Sequence, residues 1–174
     1  MSAPSQVVKF EQIILPHADA AYNLARWLVH NDHDAEDVTQ EAFLRAFKFF
    51  EGFHGTNGRV WLLKIVRNTC YSWLTRNRPQ EGLPLEEEKL VLEDRASNPE
   101  EKLIQNADGA MLQEILAALP VEFREVAVMA DVEGLSYKEI SEIAGISMGT
   151  VMSRLARARQ KLRRSLIKRM EKEF

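Results

Sequence analysis

The chain has 174 residues, 45% of them hydrophobic and 28% charged, which supports one folded domain or two small ones and excludes both wholesale disorder and a large enzyme barrel. Its longest apolar runs, Ile115 to Leu119 and Val126 to Ala130, fall far short of the ~20 residues of a membrane-spanning helix or the ~7 of a signal-peptide core, so a cytoplasmic protein with no direct membrane insertion is expected. The single cysteine, Cys70, leaves neither a disulfide nor a cysteine-rich zinc site, and the net charge of -3 is unevenly spread: 9 basic and 8 acidic side chains in residues 1–79, 3 and 10 in 80–119, 11 and 8 in 120–174.

Apolar residues recur at helical spacing almost throughout and no useful alternating run occurs, so the expected fold class is all-α, with two small helical domains and near-zero strand. Pro16 suits the first turn of a helix whose apolar face includes Tyr22, Ala25, Leu28 and Val29 and which ends near Asn31 to His33. Asp34 reads as the N-cap of a second helix, with Glu36 and Asp37 in its first turn and Val38, Ala42, Ala46 and Phe50 at i+4 steps, widened by Phe43 and Phe47. Gly52, Gly55 and Gly58 with Asn57 form a loop, after which Val60 to Leu74 is helical again.

On a helical wheel, Trp61, Leu62, Ile65, Val66, Thr69 and Trp73 fall on the side expected to be buried, while Lys64, Arg67, Asn68 and Tyr71 share the opposite side. That second face can bond phosphates through Lys64 and Arg67, read a base edge through Asn68 and stack a base on Tyr71. From Pro79 to Glu101, three prolines, the Glu86 to Glu88 run and the Ser97-Asn98-Pro99 turn signal read as a flexible acidic linker. The expected organisation is therefore a domain over 1–79, a linker over 80–108 and a second domain over 109–174.

The second domain opens with a short amphipathic helix (Met111, Leu112, Ile115, Leu116, Leu119) stopped by Pro120, followed by a helix over about Val121 to Val132 that Gly134 ends. Ser136 and Glu139 form a capping box for a helix buried through Ile140, Ile143 and Ala144, and Gly145 closes it. Ser147 caps the next helix, whose buried stripe is Val151, Leu155, Ala158 and Leu162. Two short helices around a tight glycine turn make a helix-turn-helix, the geometry that lays the second helix into a major groove. Ser147, Met148, Gly149 and Thr150 then lie near base edges, and Ser153, Arg154, Arg157, Gln160 and Lys161 fall opposite the stripe. Arg154 to Lys172 carries nine basic residues against Glu171, a polyanion-binding signature in a protein of acidic pI.

The stretch from Leu119-Pro120 to Leu162, with Glu133 to Ile140 and Gly149 to Arg159 within it, resembles region four of the sigma-70 family. Asp34 to Phe43 resembles the region-two segment that docks on the polymerase, and Trp61-Leu62 with Ile65-Val66-Arg67-Asn68 resembles the promoter-melting helix. The resemblance covers roughly residues 10–166 and implies an extracytoplasmic function sigma factor, a small member that keeps regions two and four. It implies core RNA polymerase and promoter DNA as partners, and an anti-sigma factor as well. By the same resemblance Asp37, Gln40 and Glu41, with Leu44 behind them, bind the clamp helices of core polymerase. The loop from Phe53 to Arg59, with His54, Thr56 and Asn57, captures a flipped minus-ten base, supported by Lys64, Arg67, Asn68 and Tyr71. The helix from Ser147 reads the minus-thirty-five element. Two positions depart from the family pattern: Ser72, where an acidic residue is common, and Gly58, where an aromatic one often stands.

Two other readings stay open on the residues alone. An autonomous helix-turn-helix regulator would share the second domain but has no use for the Asp34 to Phe43 segment. An enzyme would need a site, and the only metal-like spacing, His30 and His33 beside Asp32 and Asp34, flanks a turn. No catalytic set and no cofactor cradle is apparent, since Gly52, Gly55 and Gly58 lack a following lysine. Cys70, beside the packed face of its helix, reads as a small core residue, with a redox sensor as the alternative.

Overall fold

A computed structural model describes residues 5–79 and 109–172, so the acidic linker expected at 80–108 lies outside the described residues. All the regular structure among them is helical, in two compact units. The first holds α1 (Gln6–Ile13), a 3-10 turn (Leu15–His17), α2 (Ala18–Val29), α3 (Asp32–Lys48), a second 3-10 turn (Phe50–Gly52) and α4 (Gly58–Asn77). The second holds α5 (Gly109–Ala118), α6 (Val121–Ala127), a π-helical turn (Val128–Val132) and α8 (Met148–Lys172), and α7 (Tyr137–Ala144) runs between the last two in the chain.

In the first unit α2, α3 and α4 pack against one another in all three pairings. Ala21, Leu24, Ala25, Leu28 and Val29 of α2 meet Ala35, Val38, Ala42 and Ala46 of α3, and the run of alanines lets these helices approach closely. The turn between them is a single left-handed residue, His30 (φ 62°), followed by Asn31, whose Oδ1 accepts from the Asp34 backbone N–H at 3.0 Å. The N-cap of α3 is thus Asn31, not Asp34. Asp34 sits inside the first turn, where its charge suits the dipole, and lies 3.7 Å from Arg78 beyond the end of α4.

The buried side of α4 also differs from the wheel reading. Leu62, Leu63, Val66, Thr69, Cys70 and Leu74 are buried, whereas Trp61, Ile65 and Trp73 are only half-buried. The cause is that α4 faces two neighbours at once, so its apolar sector is wider than a single stripe and rotated toward Leu63 and Cys70. Thr69, fully buried, satisfies its hydroxyl by donating to the Ile65 carbonyl at 2.7 Å. The helix also begins earlier than Val60, because Asn57 Oδ1 accepts from the Val60 N–H at 3.1 Å and caps it.

In the second unit Pro120 ends α5 and leaves carbonyls exposed at its C-terminus, which Arg124 fills. Its side chain is 1% exposed, and Nη1 donates to Leu119 O at 2.7 Å and Ala117 O at 3.3 Å. The helix predicted over Val121 to Val132 exists but widens after Ala127 into a π turn, with Glu133 N–H on Val128 O at 2.9 Å, before Gly134 (φ 66°) reverses the chain. The Ser136/Glu139 box forms as expected, each backbone N–H donating to the other side chain at 3.1 Å.

Gly58 is the tightest point of the first unit: a Cβ there would stand 2.9 Å from the Ile13 carbonyl oxygen and 3.0 Å from Ile13 Cγ2. Helix propensity alone favours alanine over glycine by roughly 1 kcal/mol, and less than that in a first turn. A clash with backbone costs about 1 to 3 kcal/mol. Gly58→Ala is therefore expected to lower the urea midpoint of unfolding, and an unchanged or raised midpoint would show that the segment at Ile13 yields freely.

Candidate functional site

Three surfaces collect the residues singled out by sequence. On α3, Asp37, Gln40 and Leu44 are exposed along one face, with Leu44 at 72%. Glu41 belongs to the same face but is half-buried and held in place: its Oε1 accepts from Arg45 at 2.7 Å and its Oε2 lies 3.7 Å from Arg76. Phe47, 44% exposed and three residues beyond Leu44, extends the apolar end of this face. Sequence patterning had given Phe47 to the core, since an i+3/i+4 stripe does not say where a helix stops being covered.

The second surface is the loop and α4. His54, Thr56 and Asn57 are exposed, and Arg59 is half-buried. Phe53 behaves differently from its neighbours: it stacks on Phe50 (centroids 6.0 Å apart, planes at 16°) and leans on Trp61 at 5.1 Å, so it anchors the loop from below. Asn57 is at once a loop residue and the cap of α4, which limits how its amide can turn toward a ligand. Along α4, Lys64 and Asn68 are exposed one turn apart. Arg67 Nη1 donates to Asn68 Oδ1 at 3.4 Å, and its guanidinium lies 3.7 Å from the Tyr71 ring centroid. A base approaching Tyr71 on that side meets the guanidinium plane, itself a stacking surface.

The third surface is α7, the turn at Gly145 (φ 68°) and the start of α8. Ser147 Oγ accepts from the Thr150 N–H at 3.1 Å and lies 2.9 Å from Thr150 Oγ1, while Ser153 Oγ donates to Gly149 O at 2.9 Å. These hydroxyls hold the helix start. Met148 is 44% exposed, and Met152, which the sequence reading passed over, is 40% exposed one turn further on. Paired methyl groups of this kind suit thymine methyls in a major groove. Arg154, Arg157 and Lys161 are half-buried; Arg157 and Lys161 rest over the Phe123 ring at 6.0 and 5.5 Å, which steers their charged ends along one flank of α8.

Sequence reasoning missed the group that sets the tilt of α8. Arg159 is buried and grips Asp131 of the π turn with both arms, Nη2 to Oδ1 at 2.7 Å and Nε to Oδ2 at 3.2 Å. Within a run of basic residues it looked like one more surface charge. Its position beside the Leu155 and Leu162 stripe was the available signal.

Comparison with known proteins matches both units to one family. The family described as Sigma-70 region 2 matches residues 13–80, and Sigma-70, region 4 matches residues 109–162. The ECF RNA polymerase sigma factor SigE of Mycolicibacterium smegmatis is 40% identical over 161 residues, covering 91% of this chain; the chain spans 62% of that protein's length. SigW of Bacillus subtilis is 30% identical over 168 residues and SigM of Mycobacterium tuberculosis 34% over 158, with 88% and 76% of those proteins covered. Among solved structures, the sigma factor RpoE of Bartonella quintana in complex with the anti-sigma factor NepR matches with TM-score 0.69 at 26% identity, over 91% of this chain and 96% of that one. CnrH in complex with the cytosolic domain of CnrY matches with TM-score 0.64 at 27% identity, over 91% and 88%.

Two outcomes follow from the charges. Asp131→Ala removes the carboxylate that the buried Arg159 grips and is expected to cost about 3 kcal/mol in denaturant unfolding, whereas Asp131→Leu combined with Arg159→Met recovers most of it. Equal losses in both would mean that the pair contributes by shape alone. At His17, burial first and the Arg59 charge second lower the pKa below the ordinary imidazole value. The unfolded chain then takes up its proton at higher pH than the folded one, so this contribution is whole above about pH 6.5 and is lost as the pH falls through the folded-state value. His17→Gln should flatten the acid side of the melting-temperature profile, and an unaltered slope between neutral pH and pH 5 would contradict that assignment.

Proposed function

The chain belongs to the extracytoplasmic function (ECF) RNA polymerase sigma factors of the sigma-70 family, and from that premise we propose that it directs core RNA polymerase to specific promoters and helps to open them. Its work is binding rather than catalysis. The observation that carries the reading is the exposed α3 face, Asp37, Gln40 and Leu44 in line with Glu41 fixed beside them, on a unit whose α4 presents Lys64, Arg67 and Asn68. An autonomous helix-turn-helix regulator needs no such face.

In this reading α3 docks on core polymerase, and the loop from Phe53 to Arg59 receives an extruded minus-ten base. His54, Thr56 and Asn57 meet the base, and Phe53 holds the loop. Lys64, Arg67, Asn68 and Tyr71 track the separated strand through phosphate, amide and stacking contacts. The start of α8, with Met148, Gly149, Thr150, Ser153 and Arg154, faces minus-thirty-five base edges, Ser147 fixes its first turn, and Arg157 and Lys161 meet phosphates. A chain that works on polymerase and promoter acts in the cytoplasm, and that is the location this reading implies. No helix among the described residues is long and apolar enough to cross a membrane, and an anti-sigma factor is the expected partner, as NepR is for the RpoE of similar fold.

Transcription in vitro tests this. Core polymerase with the chain should initiate at promoters selected from a randomised library, and core alone should not. Asp37→Ala with Gln40→Ala should weaken core binding roughly tenfold or more while leaving the melting temperature unchanged. Equal capture of core by both forms would overturn the α3 assignment, and a holoenzyme with no promoter preference would overturn the function.

A further inference from the structure

The loop that faces the minus-ten base is held at both ends by one short piece of chain that lies almost wholly ahead of the matched sigma-70 segment, which starts at residue 13. At the far end of the loop, Gly58 lies so close to Ile13 that a Cβ would stand 2.9 Å from its carbonyl oxygen and 3.4 Å from Ile14 Cδ1. At the near end the connection runs through rings. Phe10, 7% exposed, packs nearly perpendicular to the rings of Phe43, Phe47 and Phe50, with centroids 6.4, 5.3 and 5.5 Å away. Phe50 stacks on Phe53, the first residue of the loop, and Trp61 closes the set against Phe50 at 6.2 Å and Phe53 at 5.1 Å. Between the two anchors, residues 54–57 are exposed and touch solvent.

We propose that α1, with Phe10 as its central residue, is a positioning element for the base-reading loop, setting its height and tilt through the Phe50, Phe53 and Trp61 rings while Ile13 fixes its end at Gly58. This rests on the function proposed above. The segment is itself tied down: Ser5 Oγ caps α1 by accepting from the Val8 N–H at 3.3 Å, and the Ile14 N–H donates to Phe10 O at 2.8 Å. Edge-to-ring contacts are directional, and a loop stapled through them keeps one geometry where aliphatic packing would allow several. Phe10 does not touch DNA in this arrangement; it acts through Phe50 and Phe53.

Two readouts test it in the full chain. In the free protein, Phe10→Ala is expected to speed amide exchange over residues 53–58 while α2 and α3 keep their protection. In the holoenzyme, binding is measured to single-stranded minus-ten oligonucleotides that differ at one base, the parent having been selected on the wild type. The ratio between best and worst base should fall roughly tenfold, with core affinity unchanged, because small misplacements of a reading group cost about that much or more. Phe10→Leu keeps the apolar volume and gives up the ring edges, so it should show both changes at smaller size with the fold intact. This variant decides if Phe10→Ala loosens the whole unit. Unchanged loop exchange, or an unchanged base ratio in both variants, overturns the inference. A wild-type holoenzyme without base preference overturns instead the function reading on which it rests, a result distinguishable from a selective wild type with flat variants.

Discussion

Helix α4 answers two demands at once: it is pressed against both α2 and α3, and its remaining side faces the solvent that a nucleic acid would occupy. Two partners require a wide apolar sector, which Leu62, Leu63, Val66, Cys70 and Leu74 supply. What is left is a narrow sector, and the polar residues crowded into it bind one another as well as the medium, Arg67 with Asn68 and Arg67 with Tyr71. Both ends of α4 follow from the same demand. Its start must pass close under Ile13, which only glycine allows, and Arg78 just past its end leans on Trp73 and on Asp34 of the neighbouring helix.

The polar side chains at the two surfaces fall into those that hold the backbone and those left for a partner. Ser147, Thr150, Ser153 and Asn57 bond to their own helix starts, so besides any contact of their own they set the placing of Met148, Met152, Arg154 and the loop tip. Charge replaces apolar packing where the second unit is too small to bury more. Arg124 ends α5, Arg159 fixes α8 to the π turn through Asp131, and Arg169 pairs with Glu114 of α5. Each such arginine ties together two elements that no loop could hold at a fixed angle. The cost of removing a partner is high at the buried Arg124 and Arg159 and small at the exposed Arg169–Glu114 pair.

Much of this was legible in the sequence because helices leave periodic traces. The capping box at Ser136 and Glu139, the glycine turns at Gly134 and Gly145 and the stripe Val151, Leu155, Ala158 and Leu162 stand where spacing put them. Other features were not legible, for separate reasons. Asn31 and Asp34 both suit an N-cap, and only the backbone shows which side chain turns back. The rotation of α4 depends on how many neighbours it has, which a wheel cannot count. Helix α1 is short, and its one buried residue, Phe10, is joined at i+4 by Ile14 just past the helix end; its importance lies in the rings it meets from distant parts of the chain. Phe53, which the resemblance places in the base-capturing loop, also stacks on Phe50, a contact that only the folded chain reveals.

Cys70, fully buried at the centre of α4, gives the protein an intrinsic clock. Alkylation needs a sulfur that the reagent can reach, and here that access arises only when the first unit opens. The labelling rate of this thiol therefore counts excursions of that unit out of its native state, under whatever load a bound partner imposes. It also leaves the surface silent to maleimide chemistry, so a dye or spin label placed on an introduced cysteine reports from its own position with the native residue left in place.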